Sequence, residues 1–234
     1  SDASARAARF AHRKLGGIPL IVRMARRLSE SMLLEKVYVT GASVPKELMS
    51  AATGDVAFIN QPMSHLCERL AAAADEGRAD WVVYLPGNRP FVDAGLVDRL
   101  MATAQKTDCD YVGFRSTEDD FRKLDHLGLA GEAIHVDSLR RLRRNADRLP
   151  CGDHGSMASW LQSAPGAYHL KFLPLPAELD RDDLRFAVED ELDWDDAELL
   201  YETVSESDGG WRDLTDVLEA HRELRQSMAF RNKG

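Results

Sequence analysis

The chain has 234 residues, 44% of them hydrophobic and 29% charged, with a formal net charge of −9. This length suits one α/β domain with a sizeable core. The negative balance excludes broad nucleic-acid binding, although one nucleotide in a locally basic pocket remains compatible with it. No apolar run approaches the roughly 18 residues of a membrane span, and Ser1–Lys14 lacks the apolar stretch of a secretory signal. Cys67, Cys109 and Cys151 form no C-x-x-C pair, so neither a zinc site nor a disulfide framework is expected, and a reducing, cytoplasmic setting is.

In chain order, Leu15-Gly16-Gly17-Ile18-Pro19-Leu20 reads as a turn whose proline suits a helix start. Ile21, Met24, Ala25 and Leu28 then share one face of a helix over 21–31. Lys36–Thr40 is a short β-branched and aromatic strand ending at Gly41, followed by a short helix over 45–52 and a strand over 55–59. The spacing of Leu66, Leu70 and Ala73 predicts a helix over 63–76. Trp81-Val82-Val83-Tyr84-Leu85 is apolar without alternation, the mark of a central strand covered on both faces. It runs into Pro86-Gly87-Asn88-Arg89-Pro90.

Further along, 93–104 reads as a helix, 110–114 and 132–136 as strands, and 138–145 as a helix with an exposed basic face. The late segments 172–175 and 184–188 are strand candidates, and 195–204 and 214–225 close the chain as helices. Strands alternating with helices imply a single domain over 1–234, a mostly parallel sheet flanked by helices, with 205–234 as a helical tail packed on it. Ligands in such sheets bind beyond the carboxyl ends of the strands, which directs attention to Gly41, Gly87-Asn88-Arg89 and Glu189-Asp190. The 87–89 turn and Glu189 or Asp190 are expected to converge on one cleft.

Several segments, in order, resemble one known family. Leu15–Leu20 is similar to an L-G-G-x-P-L motif, Trp81–Pro90 to a strand ending in G-D-x-P, and Gly128-Leu129 through Glu132 to G-L-D-x-E. Asp153-His154 is similar to the E-H of R-E-H-V-T, and Leu184–Val188 to the strand before V-D-T-P-E-D-L. Together these resemble the cytidylyltransferases typified by the SpsF spore-coat polysaccharide proteins and, more distantly, the synthetases of CMP-KDO and CMP-sialic acids. The resemblance implies a nucleotide-diphospho-sugar transferase (glycosyltransferase-A-like) fold. It also implies a reaction in which CTP and a sugar or sugar acid give a CMP-sugar and pyrophosphate for surface polysaccharide synthesis. In-line attack on the α-phosphate needs positioning and neutralisation of charge by Mg²⁺ and cationic side chains.

Carried over residue by residue, the resemblance implies Ser4, Arg6 and Gly87 at the nucleotide, where the strand-end rule adds Gly41, and Arg6 and Arg9 as cationic catalytic groups, to which Arg89 adds its charge beside Asn88. It implies Glu132 and His154 at the sugar, Asn88, Glu189 and Asp190 at Mg²⁺, and a homodimer formed through the segment 128–154. The chain departs from the pattern at several of these positions. Ala8, Arg9 and Phe10 stand where proline, glycine and lysine belong, Asn88 replaces the aspartate of G-D-x-P, and Ala130 replaces the sugar-region aspartate. The family's first strand would precede Leu15; no apolar run does, so it lies outside this sequence or is absent.

With Asn88 neutral, Mg²⁺ is expected to bind weakly or only with a nucleotide, and Asn88→Asp to raise metal affinity. Two readings therefore stand: an active CTP-using nucleotidyltransferase, and a degenerate relative that binds a nucleotide, a sugar or a partner. A sugar-transferring enzyme would want a D-x-D motif at a strand end, whereas Asp108-Cys109-Asp110 precedes its strand.

Overall fold

A computed structural model describes residues 9–41, 48, 54–61, 65–118, 121–144, 157–162, 166–204 and 209–233. The elements in chain order are β1 (Lys14–Leu15), β2 (Ile18–Pro19), α1 (Leu20–Leu28), β3 (Val37–Gly41), β4 (Val56–Asn60), α2 (Leu66–Gly77), β5 (Trp81–Tyr84), α3 (Ala94–Ala104) and β6 (Tyr111–Arg115). There follow α4 (Phe121–Leu127), β7 (Glu132–His135), α5 (Val136–Arg144), α6 (Met157–Gln162), β8 (Leu170–Pro174), α7 (Glu191–Val204), α8 (Trp211–Ala220) and α9 (Arg222–Arg231). Among the described residues no helix is long and apolar enough to cross a membrane.

β5, β7, β6 and β8 form a four-stranded sheet in that order. β7 runs antiparallel to both β5 and β6, and β8 parallel to β6, so β5, β6 and β8 share one direction. A second, parallel pair joins β3 to β4, with Val37 opposite Val56 and Gly41 opposite Asn60. Helices cover both faces of the larger sheet. On one face Val112, Phe114 and Ala133 pack with apolar residues of α1, α3, α7, α8 and α9. On the other, Tyr111 and Ile134 pack with Leu66 and Leu70 of α2, Leu139 of α5 and Met157 of α6. Trp211, Leu214 and Leu218 of α8 and Met228 of α9 belong to the first cluster, so these closing helices rest on the same core.

Local chemistry accounts for the element ends. Gly16 and Gly17, at φ +58° and +79°, turn β1 directly into β2; two glycines at positive φ are what the tightest hairpin turn demands. Pro19 then caps α1. Asp93 serves two helices at once: Oδ1 accepts from the Leu96 amide of α3 at 2.9 Å and Oδ2 from the Trp211 amide of α8 at 3.1 Å.

Three expectations need correction. β5 is an edge strand of its sheet, and its four residues are half-buried rather than buried. Its two faces are covered as its composition demands, Trp81 and Val83 by one apolar cluster and Val82 and Tyr84 by the other. Among the described residues no strand pairs with its edge away from β7. Residues 184–188 are deeply buried but join no strand ladder; Phe186 and Ala187 donate to His126 O near the end of α4, and Val188 donates to Asn88 O in the turn after β5. The final helix is two helices, broken at His221. The predicted helix over 45–52 falls outside the described residues except for Leu48.

Gly128 closes α4 at φ +63°, and a Cβ there would meet the backbone nitrogen and Cα of Ala187 at 2.8 and 2.9 Å. Gly128→Ala should therefore lower stability by about 2 kcal/mol or more, since left-handed strain alone amounts to roughly 1–2 kcal/mol and segment 186–188 must also move. A shift of the urea midpoint at unchanged slope would report it.

Candidate nucleotide site

The chain leaves β5 through Pro86 and turns at Gly87-Asn88-Arg89, beneath the buried segment 184–188. Two hydrogen bonds clamp these pieces together: the Asn88 side-chain amide donates to Val188 O, and the Val188 amide donates to Asn88 O, each at 2.9 Å. Glu189 follows at once, so sequence positions a hundred apart are neighbours. Gly41, Gly87, Asn88, Arg89 and Glu189 line one cavity of ≈ 1440 Å³. The expected convergence of the 87–89 turn with Glu189 holds in this geometry.

Asn88 is 8% exposed, and its Oδ1 is buried with no hydrogen-bond partner. The Arg89 guanidinium donates to Ala130 O at 3.2 Å and pairs with Asp125 at 3.3 Å, while its Nε is buried without a partner. Asp125 and His126 of α4 line the same cavity. Burial raises the Asp125 carboxyl above the usual carboxylate range; Arg89 opposes this and the nearby Glu189 charge adds to it. Burial also lowers the His126 imidazole, with Arg185 acting in the same sense. This end of the cavity thus gathers two carboxylates, one guanidinium and an unsatisfied amide oxygen.

Glu189 is held from behind. Its amide donates to Asp193 Oδ2 at 2.9 Å, and its carboxylate accepts from Arg185 at 3.1 Å. Asp193 is nearly inaccessible and also accepts from Arg185 Nε at 2.6 Å and Arg231 at 2.7 Å. Asp190 caps α7, its Oδ1 accepting from the Asp193 amide at 2.9 Å, and it does not line the cavity. Arg9 pairs with Glu191 on the surface, together with Arg13, and is likewise not a lining residue.

Glu132 lines the cavity, but both of its carboxylate oxygens are engaged. It accepts from the Tyr111 hydroxyl at 2.6 Å and from the amides of Met157 and Ala158 at 2.9 and 3.3 Å. These contacts hold the start of α6 against the sheet. Glu132→Gln would leave a buried amide donor or the tyrosine hydroxyl unsatisfied, so stability should fall by about 1–3 kcal/mol, read by thermal or urea unfolding. Ser4, Arg6 and His154 lie outside the described residues. Asp110 accepts from the His169 amide at 2.8 Å and bonds Ser138 and Arg141, a structural latch in keeping with discounting the D-x-D reading. Asp125 and His126 were missed from sequence because the stretch before Gly128 carries no family motif, and the Arg89–Asp125 pair forms only in the fold.

The model of the MobA-like NTP transferase domain matches residues 11–170, more than half of the chain. The chain belongs to this family. No curated protein matches it. Among solved structures, this MobA-like domain resembles a cytidylyltransferase from Leptospira borgpetersenii at TM-score 0.76 and 18% identity, covering 93% of this chain and 90% of that one. A CMP:2-keto-3-deoxy-manno-octonic acid synthetase complexed with CTP matches at TM-score 0.58 and 12% identity, over 83% and 92%. The molybdopterin-guanine dinucleotide biosynthesis protein A of Archaeoglobus fulgidus matches at the same TM-score and identity, over 83% and 91%. These likenesses establish the nucleotide-diphospho-sugar transferase-like α/β fold, with the mixed sheet described above.

Proposed function

We propose that this MobA-like domain is a cytidylyltransferase that uses CTP to activate a sugar or sugar acid, in the cytoplasm and for surface polysaccharide synthesis. A sugar hydroxyl attacks the α-phosphorus, the bond from that phosphorus to the bridging oxygen breaks, and pyrophosphate leaves. The observation that carries this reading is the convergence of the 87–89 turn and Glu189, clamped by the paired Asn88–Val188 hydrogen bonds, at one end of the cavity. Gly41 and Gly87 bring backbone close to a nucleotide there, and the tightly held Arg89 sets a fixed positive charge behind it.

The donor set fits Mg²⁺ brought by a nucleotide. Among the described residues no three His, Cys, Asp or Glu side chains are grouped to hold a metal on their own. Mg²⁺ is commonly held by one or two carboxylates with substrate phosphates and waters. Glu189 offers one carboxylate and the orphaned Asn88 Oδ1 a neutral oxygen; bound there, the ion would supply charge neutralisation for the triphosphate. Asp190 is bound into the α7 cap and would enter only by releasing it. A sugar contact by Glu132 would have to share a carboxylate already fully engaged, and the homodimer through 128–154 belongs to the same reading.

A second reading, binding without turnover, is favoured by the neutrality of Asn88 and by the engagement of Arg89 with Asp125. Calorimetry with each nucleoside triphosphate, with and without Mg²⁺, followed by pyrophosphate release over a sugar panel, separates the two. CTP-selective, Mg²⁺-dependent binding with release supports the enzyme. CTP binding with no release across the panel leaves the binding module, and no nucleotide binding at all overturns the enzyme and leaves the second reading only its sugar- or partner-binding form. Light scattering of the same sample tests the dimer.

A further inference from the structure

Arg231 and Asn232 close α9, a polar helix whose one fully buried side chain is Met228. In the fold both reach the groups that stand behind Glu189. The Arg231 guanidinium donates to Asp193 Oδ1 at 2.7 Å, pairs with Asp196 and lies 3.9 Å from Asp190. One cation thus spans the start of α7, where the carboxylates at 190, 193 and 196 follow one another at the spacing of neighbours on a helix face.

Asn232 acts on the second guanidinium. Its Oδ1 accepts from Arg185 at 3.2 Å, while its Nδ2 donates to Asp182 O at 2.9 Å and to Leu184 O at 3.0 Å. A guanidinium can only donate and a carbonyl can only accept, so this bridge needs an amide, with a donor on one side and an acceptor on the other. A carboxylate would keep the first contact and lose the other two.

Two routes lead from these residues to Glu189. Arg231 fixes Asp193, whose Oδ2 accepts from the Glu189 amide at 2.9 Å. Asn232 orients Arg185, which donates to Asp193 at 2.6 Å and to the Glu189 carboxylate at 3.1 Å. Asn232 also holds the chain at Leu184, where the segment begins that ends in the Val188–Asn88 clamp. Charge sharpens the dependence. Arg185 and Arg231 balance Asp193 and Glu189 in a largely buried cluster; without Arg231, Arg185 alone serves both carboxylates.

We propose that Arg231 and Asn232 are positioning residues of the nucleotide site, which hold Glu189 toward the cavity from α9 through Asp193 and Arg185. Neither lines the cavity, so their contribution is to where Glu189 stands. The inference rests on the reading that Glu189 meets a Mg²⁺ brought by the nucleotide.

The test uses the 234-residue chain with Arg231→Gln, Arg231→Lys, Asn232→Asp and, on the same helix, Arg225→Gln. Arg225 pairs instead with Glu219 and Asp183. Two quantities are read: exchange of the Val188 and Glu189 amides by NMR, relative to amides of β6, and the ratio of CTP dissociation constants without and with Mg²⁺. Arg231→Gln and Asn232→Asp should speed the two amides at least about tenfold, through local opening. Both should cut the Mg²⁺ ratio roughly tenfold, as loss of a partner behind a metal ligand commonly does. Arg231→Lys should recover much of both losses, and Arg225→Gln should leave both quantities at the parent's values whatever it does to the urea midpoint. A helix that merely stabilises the domain would lower stability in the variants and leave the Mg²⁺ ratio unchanged. Unchanged amides, an unchanged ratio, or an equal change in Arg225→Gln overturns this inference alone. A parent chain whose CTP affinity ignores Mg²⁺ overturns the reading beneath it and the inference together.

Discussion

Asp193→Asn should lower the stability of the domain by about 3–5 kcal/mol, the loss typical of removing one partner from a buried ion pair. The Asp193 side chain is 2% exposed and accepts from Arg185, from Arg231 and from the Glu189 amide. Asparagine keeps the shape but leaves two guanidiniums facing a neutral group, and it can accept at only one of the two oxygens. Urea unfolding at neutral pH measures the loss. Because Asp193 also holds the Glu189 backbone, nucleotide affinity should fall in the variant as well. Asp196→Ala, which removes a more exposed partner of Arg231 alone, should cost clearly less stability and leave nucleotide binding near its starting value. Equal losses in the two variants would show that Asp193 does not organise the site.

Asn88→Asp should have two opposed effects. The sequence pattern alone suggests only a gain, because a carboxylate is restored where the family's metal ligand stands. The structure adds a cost: the Asn88 amide donates to Val188 O, and a buried carboxylate cannot. Facing a carbonyl, it leaves both groups unsatisfied, a penalty of about 1–3 kcal/mol at neutral pH without ligand. The penalty is pH-dependent in a defined sense. Burial and the carbonyl acceptor favour the protonated acid, so its folded pKa lies above the unfolded value of about 3.9. The folded variant then binds more protons between these values, and its stability falls as pH rises through that window. Mg²⁺ with CTP should offset the loss by binding the variant more tightly than the parent. Thermal unfolding at pH 4 to 8, with and without Mg²⁺ and CTP, reads both effects. An Asn88→Asp protein with unchanged Mg²⁺–CTP affinity would remove position 88 from the metal site, and one as stable as the parent would remove the clamp to Val188.

Much of the architecture was legible in the sequence because it rests on local rules. The helical faces of α1 and α2, the β-branched run of β3 and the Gly16-Gly17 turn each follow from side-chain periodicity or from backbone conformations that glycine alone adopts readily. The order of short motifs placed the 87–89 turn and Glu189 at one cleft, and the cavity lining agrees. The apolar composition of residues 81–85 foretold that both faces of β5 would meet apolar clusters, but not that the strand would lie half-buried at an edge.

What only the tertiary structure decided depends on groups distant in sequence. The acidic run from Glu189 to Asp196 looks uniform, yet the fold makes Glu189 a cavity wall, Asp190 a helix cap, Glu191 a surface partner of Arg9 and Arg13, and Asp193 a buried counter-ion. The Asp190 cap takes an amide from within the run, but the ion-pair roles are set by which guanidinium arrives from elsewhere, and nothing within the run encodes that. Segment 184–188 has a strand's composition but no strand partner, since His126 and Asn88 take its amides first. Glu132 carries the letter of a sugar ligand, and only the fold shows that its carboxylate bonds Tyr111 and the start of α6. Apolar patterning is a property of each segment and survives without the fold, whereas the partner of a charge or an amide exists only once the chain has closed.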